Sequence, residues 1–157
     1  MAERLIIAEG GKEEKYKMLY QQIVSVVEGE NDTIANMANV AAMIHSTFQF
    51  WWTGFYRVMG KELVLGPFQG PMACTRIGFN RGVCGTAWQR GETIIVDDVD
   101  TFPGHIACSS ASRSEIVVPI WHNGNIAGVL DIDSEKLATF DTIDKIWLER
   151  IAELIYR

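Results

Sequence analysis

The run "SEIVVPIWHNGNIAGVLDIDS" constrains this chain more than any other stretch. Two long apolar segments flank His122-Asn123-Gly124-Asn125. Asn-Gly adopts the positive φ angles of a tight hairpin turn at little steric cost, so the segments read as two antiparallel β-strands joined there.

The remaining elements follow from the period of the apolar residues. "EEKYKMLYQQIVSVVEG" spaces Tyr16, Leu19, Tyr20, Ile23, Val24 and Val27 three and four residues apart, which reads as a helix stopped at Gly29. "NDTIANMANVAAMIHSTF" reads as a second helix, capped by Asn31 or Asp32, with Ile34, Met37, Ala38, Ala41, Met43 and Ile44 on its apolar side. "WWTGFYRV" and "KELVLGPF" flank Met59-Gly60 as a second hairpin, and "MACTRIGF" is a further strand. "GVCGTAWQRG" reads as a short helix closed by Gly91, and "ETIIVDDV" as another strand. A long irregular loop runs from Asp97 to Ser112, and "FDTIDKIWLERIAELIYR" ends the chain as an amphipathic helix capped by Asp141. The plan is α+β: one central antiparallel sheet of about six strands, with N- and C-terminal helices on one face and the long loop on the other. A single domain over residues 1–157 is expected, with residues 1–11 mobile.

Composition narrows the class of partner. The chain has 157 residues, is 22% charged and carries a net charge of -6 with no basic cluster. Nucleic acid and anionic membrane are therefore poor partners. No apolar run reaches the roughly 18 residues of a membrane helix. "MAERLIIAEGGKEEK" lacks the pattern of a secretory signal, so the chain reads as cytoplasmic, where thiols stay reduced.

Three cysteines, Cys74, Cys84 and Cys108, sit beside turns or in loops, flanked by Gly, Ala or Ser. An odd number in a reducing compartment argues against a structural disulfide framework. Four readings stand: unrelated buried thiols, a zinc site completed by His105 or His122, a hydrolytic Cys108–His105 nucleophile, and a redox pair. The gaps of nine and twenty-three residues between cysteines lack the close pair of structural zinc sites, and no metal or other cofactor is expected. The hydrolytic reading lacks an evident orienting group. Composition does not choose among the rest.

The carboxylates add a second constraint. Asp131 and Asp133, two apart in "GVLDIDS", share one face of their strand, and Glu115 opens the partner strand. Counted from the Asn-Gly turn, antiparallel pairing brings all three to one end of the hairpin, just past Cys108. Carboxylates that close raise at least one pKa and keep a proton available to donate. In "WWTGFYR" the adjacent Trp51 and Trp52 fall on opposite strand faces, Trp51 reading as core and Trp52 as an aromatic wall for a methyl or thioether group.

Together, "W-x-G-F-Y", "LVLGPFQGPMACTRI", "NRGVCGTAWQRGETIIVDDV", "FPGHIACSSASRSEIVVPI" and "GVLDIDS…FD" resemble the free methionine-(R)-sulfoxide reductases, which are stand-alone GAF domains. The similarity runs from about Trp52 to Phe140 and more loosely over both flanks. The resemblance implies a GAF-like fold and reduction of free L-methionine (R)-S-oxide. It implies that Cys108 attacks the sulfoxide sulfur and is left as a sulfenic acid. Cys74 would resolve it as a disulfide, recycled by thioredoxin or an equivalent dithiol protein, with Cys84 as an auxiliary or alternative resolving thiol. Glu115, Asp131, Asp133, Trp52 and Tyr56 would bind the substrate, while His105 has either a loop-holding or a chemical role. The first helices do not align residue by residue, which leaves them as a surface for a homodimer partner. The competing class is a GAF sensor that binds a small ligand without chemistry.

Overall fold

The computed structural model describes residues 4–156. Of the segment expected to be mobile, residues 1–3 lie outside the described residues. Within the rest of it, the Ile6 backbone exchanges two hydrogen bonds, 2.8 and 2.7 Å, with the Gln22 side chain.

The elements run α1 (Lys12–Val27), α2 (Thr33–Phe48), β1 (Trp52–Met59), β2 (Glu62–Gln69), β3 (Arg76–Gly78), α3 (Gly82–Arg90), β4 (Ile94–Val96), β5 (Ser114–His122), β6 (Asn125–Ser134) and α4 (Thr142–Ala152). The six strands form one antiparallel sheet in the order β3-β2-β1-β6-β5-β4. The β5–β6 hairpin turns at Asn123 and Gly124, whose φ values of 51° and 78° are those the Asn-Gly pair accepts most readily. Among the described residues no helix is long and apolar enough to cross a membrane.

The two-residue period of the strands divides the interior into two layers. Phe55, Ile116, Val118, Ile120, Leu130 and Ile132 point toward α1, α2 and α4. Trp52, Tyr56, Val117 and Val129 point the other way, toward α3 and the long loop. Glu115, Asp131 and Asp133 share the parity of that second set. The same alternation that fills the core on one face therefore delivers the acids to the other.

The helical layer is tied by one polar cluster. Asp144 is 1% exposed and accepts from Lys12 Nζ at 2.6 Å, from the Tyr16 hydroxyl at 2.5 Å and from the Asp141 N–H at 2.9 Å. These contacts join α1 to the first turn of α4, and the Asp141–Asp144 pair forms a capping box.

Two local expectations need correction. In α2, capped by Asp32, Ile34 and Ala38 are exposed; the buried stripe runs through Asn36, Met37, Val40, Ala41 and Ile44. Asn36 can sit there because its Nδ2 donates to the Glu30 carbonyl at 3.1 Å. The strand expected over "MACTRIGF" forms only at Arg76–Gly78, since the residues before it leave the ladder for the site described next. Cys84 lies in the first turn of α3, the helix expected over "GVCGTAWQRG", and is 4% exposed.

Candidate active site

The acids owe their placement to strand register. Glu115 on β5 pairs with Asp133 on β6, and Asp133 pairs in turn with Trp52 on β1. Asp131, two residues back on β6, pairs with Gly54. Because Gly54 has no side chain, the Trp52 ring can lie over it; a Cβ there would stand 2.5 Å from the Trp52 Cη2. Trp52 stacks on Phe68 and Tyr56, with ring centroids 5.2 and 5.9 Å away, and its Nε1 donates to the Pro71 carbonyl at 3.1 Å.

Loops bring the sulfur atoms. Cys74, on the way into β3, is bonded to Cys108 in the long loop, with Cα atoms 5.5 Å apart. The Tyr56 hydroxyl donates to the Cys74 carbonyl at 2.8 Å, which fixes that side of the bridge. Trp51 Nε1 donates to Ser109 Oγ at 3.1 Å, next to Cys108. Trp51 therefore lines the site, contrary to the expectation of core packing. It precedes β1, so strand alternation does not govern where its side chain goes.

Cys74 is thus joined to Cys108, while Cys108, Cys84, Trp51, Trp52, Tyr56 and the three acids line one cavity open to solvent. Glu115 and Asp131 are 5% and 6% exposed. Among the described residues Asp131 Oδ1 has no hydrogen-bond partner. Ser112 Oγ donates to Asp133 Oδ1 at 2.7 Å, and His105 Nε2 lies 3.9 Å from Glu115 Oε2. Burial first, then the charges of Asp131 and Asp133, pushes the Glu115 carboxyl well above the usual carboxylate range. Asp133 is raised well above that range by burial and then by Asp131, and Asp131 is raised by burial. Burial followed by the charge of Asp131 also drives the Cys84 thiol well upward, so it stays protonated. The cluster is a store of protons opposite a disulfide.

Cys84, Glu115 and Asp131 hold one donor atom each within 4.8 Å of one another, a spacing that could share a cation. Cys84 and Glu115 are both pushed well upward, and a metal would have to displace their protons.

Comparison with known proteins places this geometry. Residues 28–156 match the GAF domain family. The chain is 58% identical to GAF domain-containing protein A of Dictyostelium discoideum over 99% of both chains. It is 43% identical to free methionine-R-sulfoxide reductase of Escherichia coli, over 89% of this chain and 86% of that one. A crystal structure of free methionine-R-sulfoxide reductase from Neisseria meningitidis, in complex with its substrate, matches with a TM-score of 0.95 and 52% identity. That match covers 97% of this chain and 92% of that one. The chain belongs to the free methionine-R-sulfoxide reductase family of GAF-domain proteins.

Sequence reading of this family member missed Ser112, whose donation to Asp133 is invisible in "SSASRSE", where four serines compete. It also missed Arg81, which lines the cavity from the N-terminus of α3. A lone arginine before "GVCG" reads as an ordinary surface cation.

Proposed function

We propose that this protein reduces the R sulfoxide of free methionine, with Cys108 as nucleophile and Cys74 as resolving thiol. One observation carries the proposal: Cys108, bonded to Cys74, lines the same cavity as Glu115, Asp131 and Asp133 of the central hairpin. The Escherichia coli and Neisseria meningitidis relatives named for this activity support it.

The chemistry follows from charge. With both cysteines reduced, the Cys108 thiolate attacks the sulfoxide sulfur. The sulfoxide oxygen leaves carbon-bound sulfur only once protonated, and a carboxylic acid kept neutral by burial supplies that proton. The protonated oxygen then shifts as hydroxyl from the methionine sulfur to the Cys108 sulfur while the new sulfur–sulfur bond breaks, so methionine departs and Cys108 is left as a sulfenic acid. The Cys74 thiol then attacks the Cys108 sulfur and displaces the oxygen as water, leaving the disulfide. Per cycle, one sulfoxide and two thiols become methionine, one disulfide and one water. A thioredoxin-like dithiol exchanges with Cys74–Cys108 to restart the cycle, with buried Cys84 as an auxiliary thiol. Such a reductant supply suits a cytoplasmic setting.

Substrate recognition uses the same groups. Once ionised, Asp131, with an unsatisfied buried oxygen, accepts a hydrogen bond from the substrate ammonium. Trp52 and Tyr56 wall the S-methyl group. A methionine sulfoxide inside a peptide lacks the ammonium and carries chain on both sides, so an enclosed acidic cavity rejects it. A sensor that only binds its ligand has no use for a proton store facing a disulfide.

The test is to incubate the reduced protein with each epimer of free methionine sulfoxide. Methionine release and thiol loss are followed by mass. Consumption of the R epimer alone, with two thiols lost per methionine, is expected. Binding without methionine release would overturn the proposal in favour of a sensor.

A further inference from the structure

We propose that Arg81 anchors the α-carboxylate of the substrate and so selects a free amino acid over its carboxyl-blocked forms; this rests on the reductase reading above. A free amino acid is a zwitterion. The acids answer its ammonium, but they offer its carboxylate no cation, and whichever of them is ionised repels it. Among the described residues lining the cavity, Arg81 is the one lysine or arginine.

Its backbone is fixed on both sides. The Arg81 N–H donates to the Gly78 carbonyl at 3.1 Å, and its own carbonyl accepts from Gly85 at 2.9 Å as the first turn of α3 begins. The side chain is exposed and, among the described residues, forms no ion pair. A guanidinium on the rim of an acidic cavity, with no carboxylate of its own, is available to a carboxylate that arrives from solution, which it can hold bidentately. The N–H groups of Gly82, Val83 and Cys84 follow directly and have no acceptor within the helix, so the local field also favours an anion. The unpartnered Asp131 Oδ1 in the same cavity supplies the opposite pole. Two poles of opposite sign on one cavity fit a zwitterion and fit neither a simple cation nor a simple anion.

The test compares wild type, Arg81→Gln and Arg81→Lys on free methionine (R)-sulfoxide and on methioninamide (R)-sulfoxide, which keeps the ammonium but has no carboxylate. For the free acid, Arg81→Gln should raise KM on the order of tenfold, with the loss falling on KM and not on kcat. The wild-type preference for the acid over the amide should collapse in Arg81→Gln, and Arg81→Lys should recover part of it. If Arg81→Gln does not fold, Arg81→Lys must still raise KM for the acid and leave the amide unchanged. An equal effect on acid and amide, or none on either, overturns the role of Arg81 while leaving the reductase reading intact. Wild type that reduces neither compound refutes the reductase reading and the Arg81 proposal with it.

Discussion

Replacing Glu115 by glutamine should make the protein more stable and less active, and the stability gain should grow with pH. Glu115 is 5% exposed, and a Glu115 carboxylate oxygen lies within 4.8 Å of one from Asp131. At that separation two unit charges repel by about 3.5 kcal/mol at an effective dielectric of about 20. Proton uptake relieves part of this, so the folded chain holds a proton on Glu115 where the unfolded chain has already lost it. With a folded pKa raised above the unfolded value of about 4.3, Glu115 favours folding fully below that value and loses that contribution as pH rises through the folded pKa. A neutral amide in its place neither titrates nor repels. Wild type and Glu115→Gln should therefore agree within about 0.5 kcal/mol near pH 4 and diverge to about 1–3 kcal/mol in favour of the variant at pH 8. That divergence corresponds to a rise in Tm of about 2–4 °C per kcal/mol for a chain of this size. Urea unfolding of the disulfide form from pH 4 to 8 measures the difference directly. Turnover should fall by about 10²-fold or more if this carboxyl is the proton donor. A stability difference that is independent of pH, or that shrinks as pH rises, would refute the shared-proton account of the cluster.

Cys108→Ser should release no methionine from its sulfoxide, while Cys74→Ser should release one equivalent per chain and then stop; sustained cycling by Cys74→Ser would make Cys84 the resolving thiol. Gly54→Ala should cost about 1–3 kcal/mol by urea unfolding, because its Cβ meets the Phe68 Cβ at 2.4 Å and the Trp52 ring at 2.5 Å, and should weaken substrate binding by turning that ring. An unchanged midpoint would show the ring is free to move. Asp144→Asn should cost about 2–4 kcal/mol, since the 2.6 Å contact with Lys12 loses its charge and three donors compete for one oxygen. A loss below about 0.5 kcal/mol would mean that the cluster does not hold α1 to α4.

The parts of this molecule legible in its sequence are those where short-range rules decide. The Asn123-Gly124 turn pairs His122 with Asn125, and a bulge between Ile120 and Trp121 then shifts the β5–β6 register by one residue and puts Glu115 opposite Asp133. Counting residues from the turn is therefore enough to bring the acids to one end of the hairpin, while the bulge, which the count does not show, sets them on one face. Asp32, Asp141 and Gly91 end helices where their chemistry says they should. What fails to show is decided by tertiary contact. The rotation of α2 depends on Asn36 finding the Glu30 carbonyl, and the path of Trp51 depends on Ser109, 58 residues away. Cys84 is flanked by small residues like the other two cysteines, yet it lies in the core because α3 packs its first turn against the sheet. The Cys74–Cys108 pairing comes from family resemblance and not from spacing.

The division of labour between strand and loop has a physical reason. A shifted carboxyl pKa requires burial at fixed distance from other charges, because desolvation and repulsion both fade as groups move apart. Adjacent strands of a central hairpin hold such distances; Glu115 and Asp133 are register partners and cannot separate without breaking the ladder. Disulfide formation has the opposite need. In the proposed cycle the Cys108 sulfur must meet the substrate sulfur, then the Cys74 sulfur, then that of an external dithiol. A ladder residue could meet one of these. Cys108 sits in a stretch of loop where the nearest backbone bonds are short-range, Cys108 N–H to Ile106 and His105 N–H to Phe102, and Cys74 lies just outside β3. Moving Cys108 onto a strand, by shortening the 97–112 loop until residue 108 joins β5, should abolish turnover. Persistence of turnover in that variant would mean the thiol needs no freedom beyond a side-chain rotation.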